Sequence, residues 1–355
     1  MDVREFAFTL PPELIAQEPP AVRGSSRLLH LNRVTGARTH TSIDRLATFL
    51  EAGDVVVVNN TQVFPARLLG RRQPSGGAVE CLLVNCLSSE DGGSREMWQA
   101  LMHPGQKLAP GAHVVFEREG VGTLRGEVLE RHFHGRRTIQ LWTDNGGTVR
   151  DVVDALGHVP LPPYIRRDDR ADDRDRYQTV FARQRGSIAA PTAGLHFTPQ
   201  ILESLAARGV QTVEITLHVG YGTFQPVRVE RVEEHHLEPE HYEISETAAA
   251  AVEAARRGAK RVVAVGTTTT RTLEAVARAN VGRVTAGAGA TDLFIYPGFE
   301  FQVVSGLLTN FHLPASSLIM LVAAFARRDA VMAAYADAIA RRYRFYSYGD
   351  AMLIT

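Results

Sequence analysis

The stretch SIAAPTAGLHFTPQILESLAARG, residues 187–209, contains the succession of elements that decides the fold. Thr198 followed by Pro199 is typical of the start of a helix, and Gly209 is typical of the position just beyond its end. The small residues 187–190 predict a short strand in front of that helix. His196 then lies in a loop between a strand and a helix, which is where open α/β sheets bind their ligands.

Two units downstream repeat this pattern of strand and polar loop. The run VQTVEITLHV predicts a strand that ends at His218, and Gly220 and Gly222 follow it. If this strand is parallel to its predecessor, we expect His218 and His196 to converge at one edge of the sheet. In KRVVAVGTTTTRTLEAV, four threonines and Arg271 stand at a predicted helix start, a position that favours a carboxylate or phosphate.

The last polar turns follow the runs TDLFIY and LLTN and carry Asp292, Asn310 and His312. A lone loop histidine is more often a hydrogen-bonded structural residue than a ligand-binding one, and a threonine run is compatible with a simple helix cap. Polar, glycine-rich loops nevertheless recur at several predicted strand ends, where a purely structural loop does not need histidine. The repetition therefore favours a ligand site.

The chain as a whole has the alternating pattern of an α/β protein, interrupted once. Helices are predicted over 199–208, 245–257, 270–278, 315–326 and 329–342, and DVVVVNN predicts a buried strand. From about residue 62 to 151 the pattern contains only strands and turns. We predict a mostly parallel sheet with crossover helices, formed by residues 1–61 and 152–355, and an inserted small all-β barrel domain formed by residues 62–151.

The composition is typical of a folded chain whose net charge identifies no partner. Of the 355 residues 45% are hydrophobic, and Lys plus Arg equals Asp plus Glu at 39 each, so that only a local basic patch could hold a polyanion. Cys81 and Cys86 lack a second pair for a zinc site and are predicted to be reduced and structural. The N-terminus has no signal-like apolar core, and the run 318–326 is too short to span a membrane, so we predict a cytoplasmic protein with no membrane partner.

Three segments have competing interpretations. The run RRDDRADDRDRYQTVFARQR is either a solvated loop or a mobile arm that grips phosphates. The aromatic residues and arginines of RRYRFYSYGDAMLI either stack on bases or pack a helix end onto the last strand. In EEHHLEPEHYEI, histidines and glutamates lie close together, but Pro239 interrupts them and the spacing is not that of a helical zinc motif, so we predict no metal.

Long composite motifs over nearly the whole chain resemble those of the S-adenosylmethionine:tRNA ribosyltransferase-isomerases of queuosine biosynthesis. The matching runs are NNTQVFPARLLG, VPLPPYIRR, RYQTVFA, APTAGLHFT, HVGYGTFQPV, VGTTTTRTLE, LFIYPGFEFQVV, LLTNFHLPASSLIMLVAAFA and YRFYSYGDAMLI. The resemblance implies an α/β domain interrupted by a β-barrel. It also implies S-adenosylmethionine as co-substrate, with no metal or separate cofactor.

The implied reaction moves the ribosyl part of S-adenosylmethionine to 7-aminomethyl-7-deazaguanine at the tRNA wobble position and isomerises it. Epoxyqueuosine in tRNA is the product, and adenine and methionine leave. A general base and acid are needed, and residues on the matching motifs that suit these roles are His196, His218 and His312. Which histidine takes the first proton stays open. Glu240 is the carboxylate expected to stabilise the sulfonium or to bind ribose hydroxyls.

The remaining candidates divide between the two substrates. Candidate cosubstrate-binding residues are Thr192, Gly194, Gly220, Gly222, Thr267, Thr268, Arg271, Asp292 and Asn310. The threonines of the GTTTT run and Arg271 are expected to hold the methionine carboxylate. Candidate tRNA contacts are Arg136, Arg137, Arg166, Arg167 and Tyr346, together with Arg174 and Arg176. The alternative is that these arginines pair with the neighbouring aspartates and contact no tRNA.

Two other functions fit part of the pattern. A non-catalytic tRNA-binding protein would account for the barrel and the arginines but leaves the histidine loops unexplained. An S-adenosylmethionine-dependent RNA methyltransferase is also α/β, but the early glycine-rich loop of a dinucleotide-type fold is not evident. The chain also departs from the family's usual residues at Asn60, Gln62, Glu238 and Ser305.

Overall fold

A computed structural model of the chain describes residues 1–144, 146–220, 222 and 227–355. The strands are β1 (Arg27–Leu31), β2 (Arg38–Ser42), β3 (Val55–Asn59), β4 (Thr61–Val63), β5 (Arg67–Gln73), β6 (Ala78–Glu90), β7 (Arg95–His103), β8 (His113–Arg118), β9 (Gly122–Arg131), β10 (Arg136–Trp142), β11 (Gln184–Ser187), β12 (Gln211–Leu217), β13 (Glu240–Ile244), β14 (Val262–Val265), β15 (Gly287–Thr291), β16 (Gly306–Asn310) and β17 (Ala351–Ile354). The α-helices are α1 (Val149–Leu156), α2 (Asp173–Arg176), α3 (Pro199–Ala207), α4 (Glu246–Arg257), α5 (Thr267–Ala279), α6 (Ser317–Ala326) and α7 (Arg328–Ala340). The 3-10 helices are Val3–Phe6, Pro12–Leu14, Ile43–Phe49, Asp91–Gly93, Gly105–Lys107, Phe133–Gly135, Thr192–His196 and Val232–Glu234.

The larger part of the chain forms a nine-stranded sheet in the order β15-β13-β12-β3-β14-β16-β17-β1-β2. The four central strands β12, β3, β14 and β16 are parallel to one another. Antiparallel pairs β13–β12, β13–β15, β16–β17 and β1–β2 flank them. The predicted α/β class is thus confirmed, with a sheet that is mixed rather than parallel throughout.

Side chains of the central strands alternate between two apolar cores, one on each face of the sheet. Val55 and Val57 of β3 pack into the core that contains α4 to α7, whereas Val56 and Val58 pack against α3 and the 3-10 helix at Ile43–Phe49. Strands buried on both faces read as continuous apolar runs, which is why DVVVVNN predicts a buried strand. Every described helix is too short or too polar to span a lipid bilayer.

The helix signals in the sequence are largely confirmed, and two of them need correction. Thr198 caps α3 by accepting the N–H of Ile201 over 3.3 Å, as the Thr-Pro pair predicts. Helix α5 begins at Thr267, three residues before the predicted start at Thr270. The prediction missed these residues because β-branched threonines have a low helix propensity and do not indicate a helix by themselves. Helix α6 begins at Ser317, two residues after its predicted start at residue 315, and Ser316 caps it by accepting the N–H of Ile319 over 3.4 Å.

Six antiparallel strands close into a barrel in the order β10-β7-β6-β5-β8-β9. Its interior is filled by apolar side chains that include Cys81, Phe116 and Ile139, and α1 packs against it. Cys81 and Cys86 are free thiols, the first buried and the second exposed. The inserted barrel is confirmed, whereas its predicted limits at residues 62 and 151 stay a prediction.

The chain enters and leaves the barrel region at one point. The N–H of His158 donates to the carbonyl of Arg67 over 2.8 Å, and the N–H of Arg67 donates back to the carbonyl of His158 over 3.2 Å. Strand β5 starts at Arg67, and the segment after α1 returns at His158. The segment 67–158 is therefore closed off by a two-hydrogen-bond bridge.

The prediction for the strand in front of His196 was wrong in place and partner. The strand is Gln184–Ser187 rather than residues 187–190, and it pairs with β4 in a separate two-stranded sheet. Residues 189 and 190 are buried alanines without a ladder partner in that sheet. Small apolar residues do not distinguish a strand from a buried extended loop, because both hide such side chains.

Candidate active site at the sheet edge

The carboxyl ends of the central parallel strands lie at one edge of the sheet. The Asn59 side chain at the end of β3 donates to the carbonyl of Leu217 at the end of β12 over 2.8 Å. Next to them, the N–H of Gly266 after β14 donates to the carbonyl of Leu308 in β16 over 2.8 Å. The polar loops that follow these strands are thus brought together, as expected for a ligand-binding edge.

A pocket at this edge, called here the threonine pocket, collects six of the predicted site residues. It contains about 580 Å³ of empty space, with the open solvent at its mouth included. The predicted residues that line it are Thr192, Thr267, Thr268, Asn310, His312 and Tyr346. Tyr164, Tyr177 and Ser347 also line it and were missed. The sequence signal that could have identified these residues is their position in the motifs VPLPPYIRR, RYQTVFA and YRFYSYGDAMLI.

The N-terminus of α5 forms one wall of the threonine pocket. Gly266 takes a positive φ of 91° as it turns from β14 into the helix, a conformation that favours glycine. The hydroxyls of Thr269 and Thr270 donate to backbone carbonyls four residues earlier. Those of Thr267 and Thr268 make no such bond within the described residues, and both line the pocket. Unpaired helix N–H groups and two hydroxyls together suit an anionic ligand group.

Asn310 supplies a buried acceptor to the same pocket. Its side-chain amide donates to the carbonyls of Tyr346 (2.9 Å) and Ser347 (3.4 Å) and to Nε2 of His196 (3.2 Å), which fixes the orientation of the amide. Its Oδ1 is buried and has no hydrogen-bond partner. An unpaired buried oxygen is costly, so a ligand N–H or O–H donor would be favoured at this point.

His312 lies in the wall of the threonine pocket as a neutral imidazole. Burial lowers its pKa to about 3. Its Nε2 is 2.8 Å from the hydroxyl of Thr309, and its backbone N–H donates to the hydroxyl of Tyr335 over 3.0 Å. The ring is thereby held in place, and Nδ1 is the nitrogen that the described hydrogen bonds leave for a ligand.

His196 is buried behind the threonine pocket rather than in it. Its Nδ1 is 2.9 Å from the hydroxyl of Ser26, and its Nε2 receives the Asn310 amide. Burial lowers its pKa to about 4, and the charge of Arg344 lowers it further while Asp350 opposes the shift. With both ring nitrogens engaged, His196 orients Asn310 and has no nitrogen left for substrate.

His218 faces a third location, a cleft between the sheet edge and the barrel that we call the barrel cleft. The cleft holds about 1130 Å³ of empty space and has Trp98 on its barrel side. Nδ1 of His218 is 2.8 Å from the hydroxyl of Thr61, and burial together with the neighbouring His241 lowers the pKa of the ring. A Cβ on Gly186 would lie 2.6 Å from the ring, so this position requires glycine.

His196 and His218 were predicted to converge at one edge of the sheet if the strands in front of them were parallel to each other. That condition is not met, because β11 pairs with β4 and not within the nine-stranded sheet, and the two histidines line separate spaces. The threonine pocket and the barrel cleft nevertheless share one wall at Val219.

Glu240 and Arg271 form a buried ion pair in a further space, called here the ion-pair pocket. Glu240 Oε1 also accepts the N–H of Gly220 over 3.0 Å. Arg271 was predicted to hold a substrate carboxylate, but in the structure its guanidinium lies on Glu240. The pocket adjoins the threonine pocket at Leu318 and the barrel cleft at Gly222.

Two predicted cosubstrate residues lie away from these spaces. A Cβ on Gly194 would meet Phe181 and Thr179 at 2.8 Å, so this glycine serves close packing and not a ligand. Asp292 is exposed just after β15 and is not among the residues that line the threonine pocket, the barrel cleft or the ion-pair pocket.

Two of the predicted tRNA contacts are structural. Arg137 is 1% exposed and donates to the carbonyls of Leu108 (2.8 Å), Arg136 (2.6 Å) and Gly105, so it holds barrel loops and cannot reach tRNA. Arg167 donates to both carboxylate oxygens of Asp173, at 2.6 and 2.8 Å. The alternative of pairing with a neighbouring aspartate is the correct one for Arg167.

The other tRNA candidates keep some access to solvent. Arg136 pairs with Glu238 across the barrel cleft. Arg166 is exposed, and its side chain makes no ion pair with any described residue. Tyr346 stands edge-on to Tyr164 with the ring centres 3.8 Å apart, and burial raises its pKa to about 12.

The histidine-rich segment is a packing element. His235 stands edge-on to Phe294 with the ring centres 5.0 Å apart. Among the described residues, no group of three or more His, Cys, Asp or Glu side chains is placed to hold a metal ion. Tyr221 and residues 223–226 of the motif HVGYGTFQPV lie outside the described residues.

Comparison with known proteins places these features in a family. The sequence model described as queuosine biosynthesis protein matches residues 3–354. S-adenosylmethionine:tRNA ribosyltransferase-isomerases from Desulfitobacterium hafniense and Symbiobacterium thermophilum are each 49% identical over 354 residues, which is 100% of both chains. The crystal structure of an S-adenosylmethionine tRNA ribosyltransferase from Thermotoga maritima is similar with a TM-score of 0.55 at 38% identity, over 99% of this chain and 100% of that one.

Proposed function

The chain belongs to the queuosine biosynthesis protein family, and from this premise we propose how the sheet edge carries out its reaction. The activity is that of an S-adenosylmethionine:tRNA ribosyltransferase-isomerase. The ribosyl part of S-adenosylmethionine is transferred to 7-aminomethyl-7-deazaguanine at the wobble position and isomerised, with release of adenine and methionine. The motif resemblance is confirmed by these relatives over the whole chain.

The observation that carries the assignment of the substrate site is the threonine pocket with its unpaired Asn310 oxygen. S-adenosylmethionine binds there, with the Asn310 Oδ1 accepting an N–H or O–H of the nucleoside. The edges and faces of Tyr164 and Tyr346 suit a flat base. The N-terminus of α5 with Thr267 and Thr268 suits the methionine carboxylate.

The wobble nucleotide enters through the barrel cleft. This cleft is open, carries Trp98 for stacking, and shares the wall at Val219 with the threonine pocket. A base in the barrel cleft and a ribosyl group in the threonine pocket would therefore be neighbours, both next to Val219. The transferred group then needs no movement between distant sites.

His218 is the favoured general base. It lines the barrel cleft, and the described hydrogen bonds leave its Nε2 for a substrate, whereas both nitrogens of His196 are engaged. It takes the proton from the ribose carbon next to the sulfonium; the carbanion breaks the bond between the neighbouring carbon and the ring oxygen, and that oxygen becomes a carbonyl on the anomeric carbon as adenine leaves with the electron pair of its glycosidic bond. The amine of the deazaguanine then adds to the vinyl sulfonium and loses a proton, and the regenerated carbanion attacks the carbonyl carbon. The resulting alkoxide closes the epoxide by displacing methionine, which leaves with the sulfur electron pair. His312 stays a neutral imidazole and donates a hydrogen bond to the departing adenine through its Nδ1–H.

The Glu240–Arg271 pair is the electrostatic element of the site. S-adenosylmethionine carries a sulfonium and a carboxylate, which are opposite in sign to Glu240 and Arg271 respectively. Because the ion-pair pocket adjoins the threonine pocket, each side chain can turn from its ion-pair partner to the substrate charge of opposite sign. Neither charge is then buried without a partner, which would cost free energy. No metal or separate cofactor takes part in this scheme.

Product analysis tests the proposal. The protein is incubated with S-adenosylmethionine and with tRNA that carries 7-aminomethyl-7-deazaguanine, and the small products are separated by chromatography. Adenine and methionine that appear only with this tRNA support the proposal. Adenosylhomocysteine would instead indicate a methyltransferase, and tRNA binding without any product would indicate a binding protein. A tRNA-modifying enzyme of this kind acts in the cytoplasm, so fractionation of cells checks that expectation.

A further inference from the structure

A second basic pocket, called here the arginine pocket, lies on the far side of Ser347 from the threonine pocket. It contains about 290 Å³ of empty space, with the open solvent at its mouth included, and is lined by Arg23, Arg176, Ser26, His196 and Ser347 among others. Ser347 lines both pockets, and its hydroxyl is hydrogen-bonded to Tyr164. The mechanism above leaves the arginine pocket unused.

Among the described residues, neither Arg23 nor Arg176 forms an ion pair with a carboxylate. Arg23 donates only to the carbonyls of Gln178 (2.7 Å) and Asp175 (3.0 Å), and Arg176 donates only to the carbonyl of Pro20. Each guanidinium has five N–H donors, so both keep several for a ligand. The nearby Arg167 differs, because Asp173 neutralises it.

The two guanidinium groups are close enough to repel each other. Burial and the charge of Arg176 both lower the pKa of Arg23, although Tyr348 and the charge of Asp175 partly oppose them. Near the buried His196, Arg344 adds a positive charge and Asp350 a negative one. No side chain that lines the arginine pocket is acidic. A bound anion would relieve this repulsion and use the remaining donors.

We infer that the arginine pocket binds a backbone phosphate of the tRNA next to the nucleotide being modified, through Arg23 and Arg176. The inference rests on the proposed function for the identity of the ligand. The chemistry required is that of a compact oxyanion with no attached cation. A phosphodiester meets this requirement, whereas the amino-acid end of S-adenosylmethionine would bring an ammonium group beside two guanidinium groups.

Salt dependence of tRNA binding tests the inference. We would measure the Kd of tRNA carrying 7-aminomethyl-7-deazaguanine at several salt concentrations for wild type, Arg23→Gln, Arg176→Gln and the double variant. Loss of one phosphate contact reduces the slope of log Kd against log salt by about 0.7 to 0.9. In the double variant we expect the slope to fall by about that amount and tRNA to bind roughly tenfold more weakly at low salt. The KM for S-adenosylmethionine should be nearly unchanged.

Two controls separate a phosphate contact from a structural role. Arg45→Gln removes the same charge from an exposed residue that lies next to Asp44 and outside all the pockets named here, and we expect it to keep the wild-type slope. Arg176→Lys keeps the charge but not the fork of donors, so it should retain most of the slope. If Arg176→Lys behaves like Arg176→Gln, or if Arg45→Gln lowers the slope as much, the inference is wrong.

Failure of the inference is distinguishable from failure of the proposed function. A raised KM for S-adenosylmethionine with an unchanged tRNA slope would assign the pocket to the amino-acid carboxylate and overturn the phosphate assignment. Unchanged slope and KM would overturn it as well. Release of adenine and methionine by the wild type tests the proposed function independently of either variant.

Discussion

Arg137 in the barrel and Asn310 at the sheet edge differ in how completely their buried polar atoms are bonded. In the barrel, Arg137 is almost fully buried and its guanidinium is bonded to several backbone carbonyls. At the sheet edge, Asn310 is equally buried but keeps an unpaired oxygen beside the threonine pocket. A buried polar group that is fully bonded stabilises the fold, whereas one left unpaired costs stability. The contrast between these two residues therefore indicates a structural role for Arg137 and a ligand-binding role for Asn310.

The largest effect is expected on kcat, for His218→Ala at the sheet edge. Loss of the general base should lower kcat by about 10²–10⁴-fold, with little change in tRNA affinity. Single-turnover product formation and tRNA binding measure the two quantities. His113→Ala, at an exposed position of β8, removes a histidine without approaching either pocket and should keep the wild-type kcat. Equal loss of turnover and affinity in His218→Ala would contradict the catalytic role.

Arg137→Met should have the next largest effect, on stability. The substitution leaves buried carbonyls without donors, at a cost of about 1–3 kcal/mol for each group that water cannot reach. We expect a lower free energy of unfolding in urea, with residual activity in proportion to the folded fraction. Arg125→Met, at an exposed barrel position, is the matched control. An unchanged midpoint for Arg137→Met would remove the contrast between the barrel and the edge.

Asn310→Ala tests the unpaired oxygen. Losing one acceptor for a ligand donor should raise the KM for S-adenosylmethionine by about 10-fold to 100-fold, since a buried hydrogen bond of this kind contributes about 1–3 kcal/mol. Titration calorimetry with S-adenosylmethionine checks the affinity directly. Asn280→Ala at the exposed end of α5 is the control. If the two variants bind the cosubstrate equally well, the oxygen serves another purpose.

The effect that is smallest near neutral pH is a pH dependence of stability from the buried histidines. In the folded state the pKa of His196 is about 4 and that of His312 about 3, both below the ordinary value of 6.5. The unfolded chain therefore binds more protons below pH 6.5, and stability falls as the pH drops from 6.5 toward 4. The slope is at most about 1.4 kcal/mol per pH unit for each histidine.

Denaturant titrations at several pH values measure that slope. His312→Asn should flatten it, because asparagine does not titrate, while the exposed His113→Asn should leave it unchanged. An identical pH dependence in His312→Asn and wild type would mean that His312 is not held neutral by burial.

The parts of this structure that the sequence predicts are those set by local chemistry. The Thr198–Pro199 cap, the apolar strand β3 and the barrel pattern all depend on neighbours in the chain. The threonine pocket could be located because parallel strands bring the loops after them to one edge. Four of its six lining residues among the candidates, Thr267, Thr268, Asn310 and His312, follow from that rule.

The parts that escaped prediction depend on contacts between distant residues. The Glu240–Arg271 ion pair joins β13 to α5, and Arg137 finds its acceptors in loops 29 and 32 residues away. No periodicity encodes such partners. One departure from the family pattern, Ser305, also depends on a distant partner. Its hydroxyl accepts the N–H of Val262 over 2.9 Å, so a serine can fill the acceptor role at this position.

The bridge between Arg67 and His158 has a consequence for the history of the chain. Because the ends of the 67–158 segment are within hydrogen-bonding reach, its insertion into a surface turn requires no rearrangement of the strands on either side. The nine-stranded sheet takes no strand from that segment and is complete on its own. An ancestral sheet protein could acquire the barrel in one genetic step, and with it a new face for a macromolecular substrate, without giving up the older pocket at the strand ends.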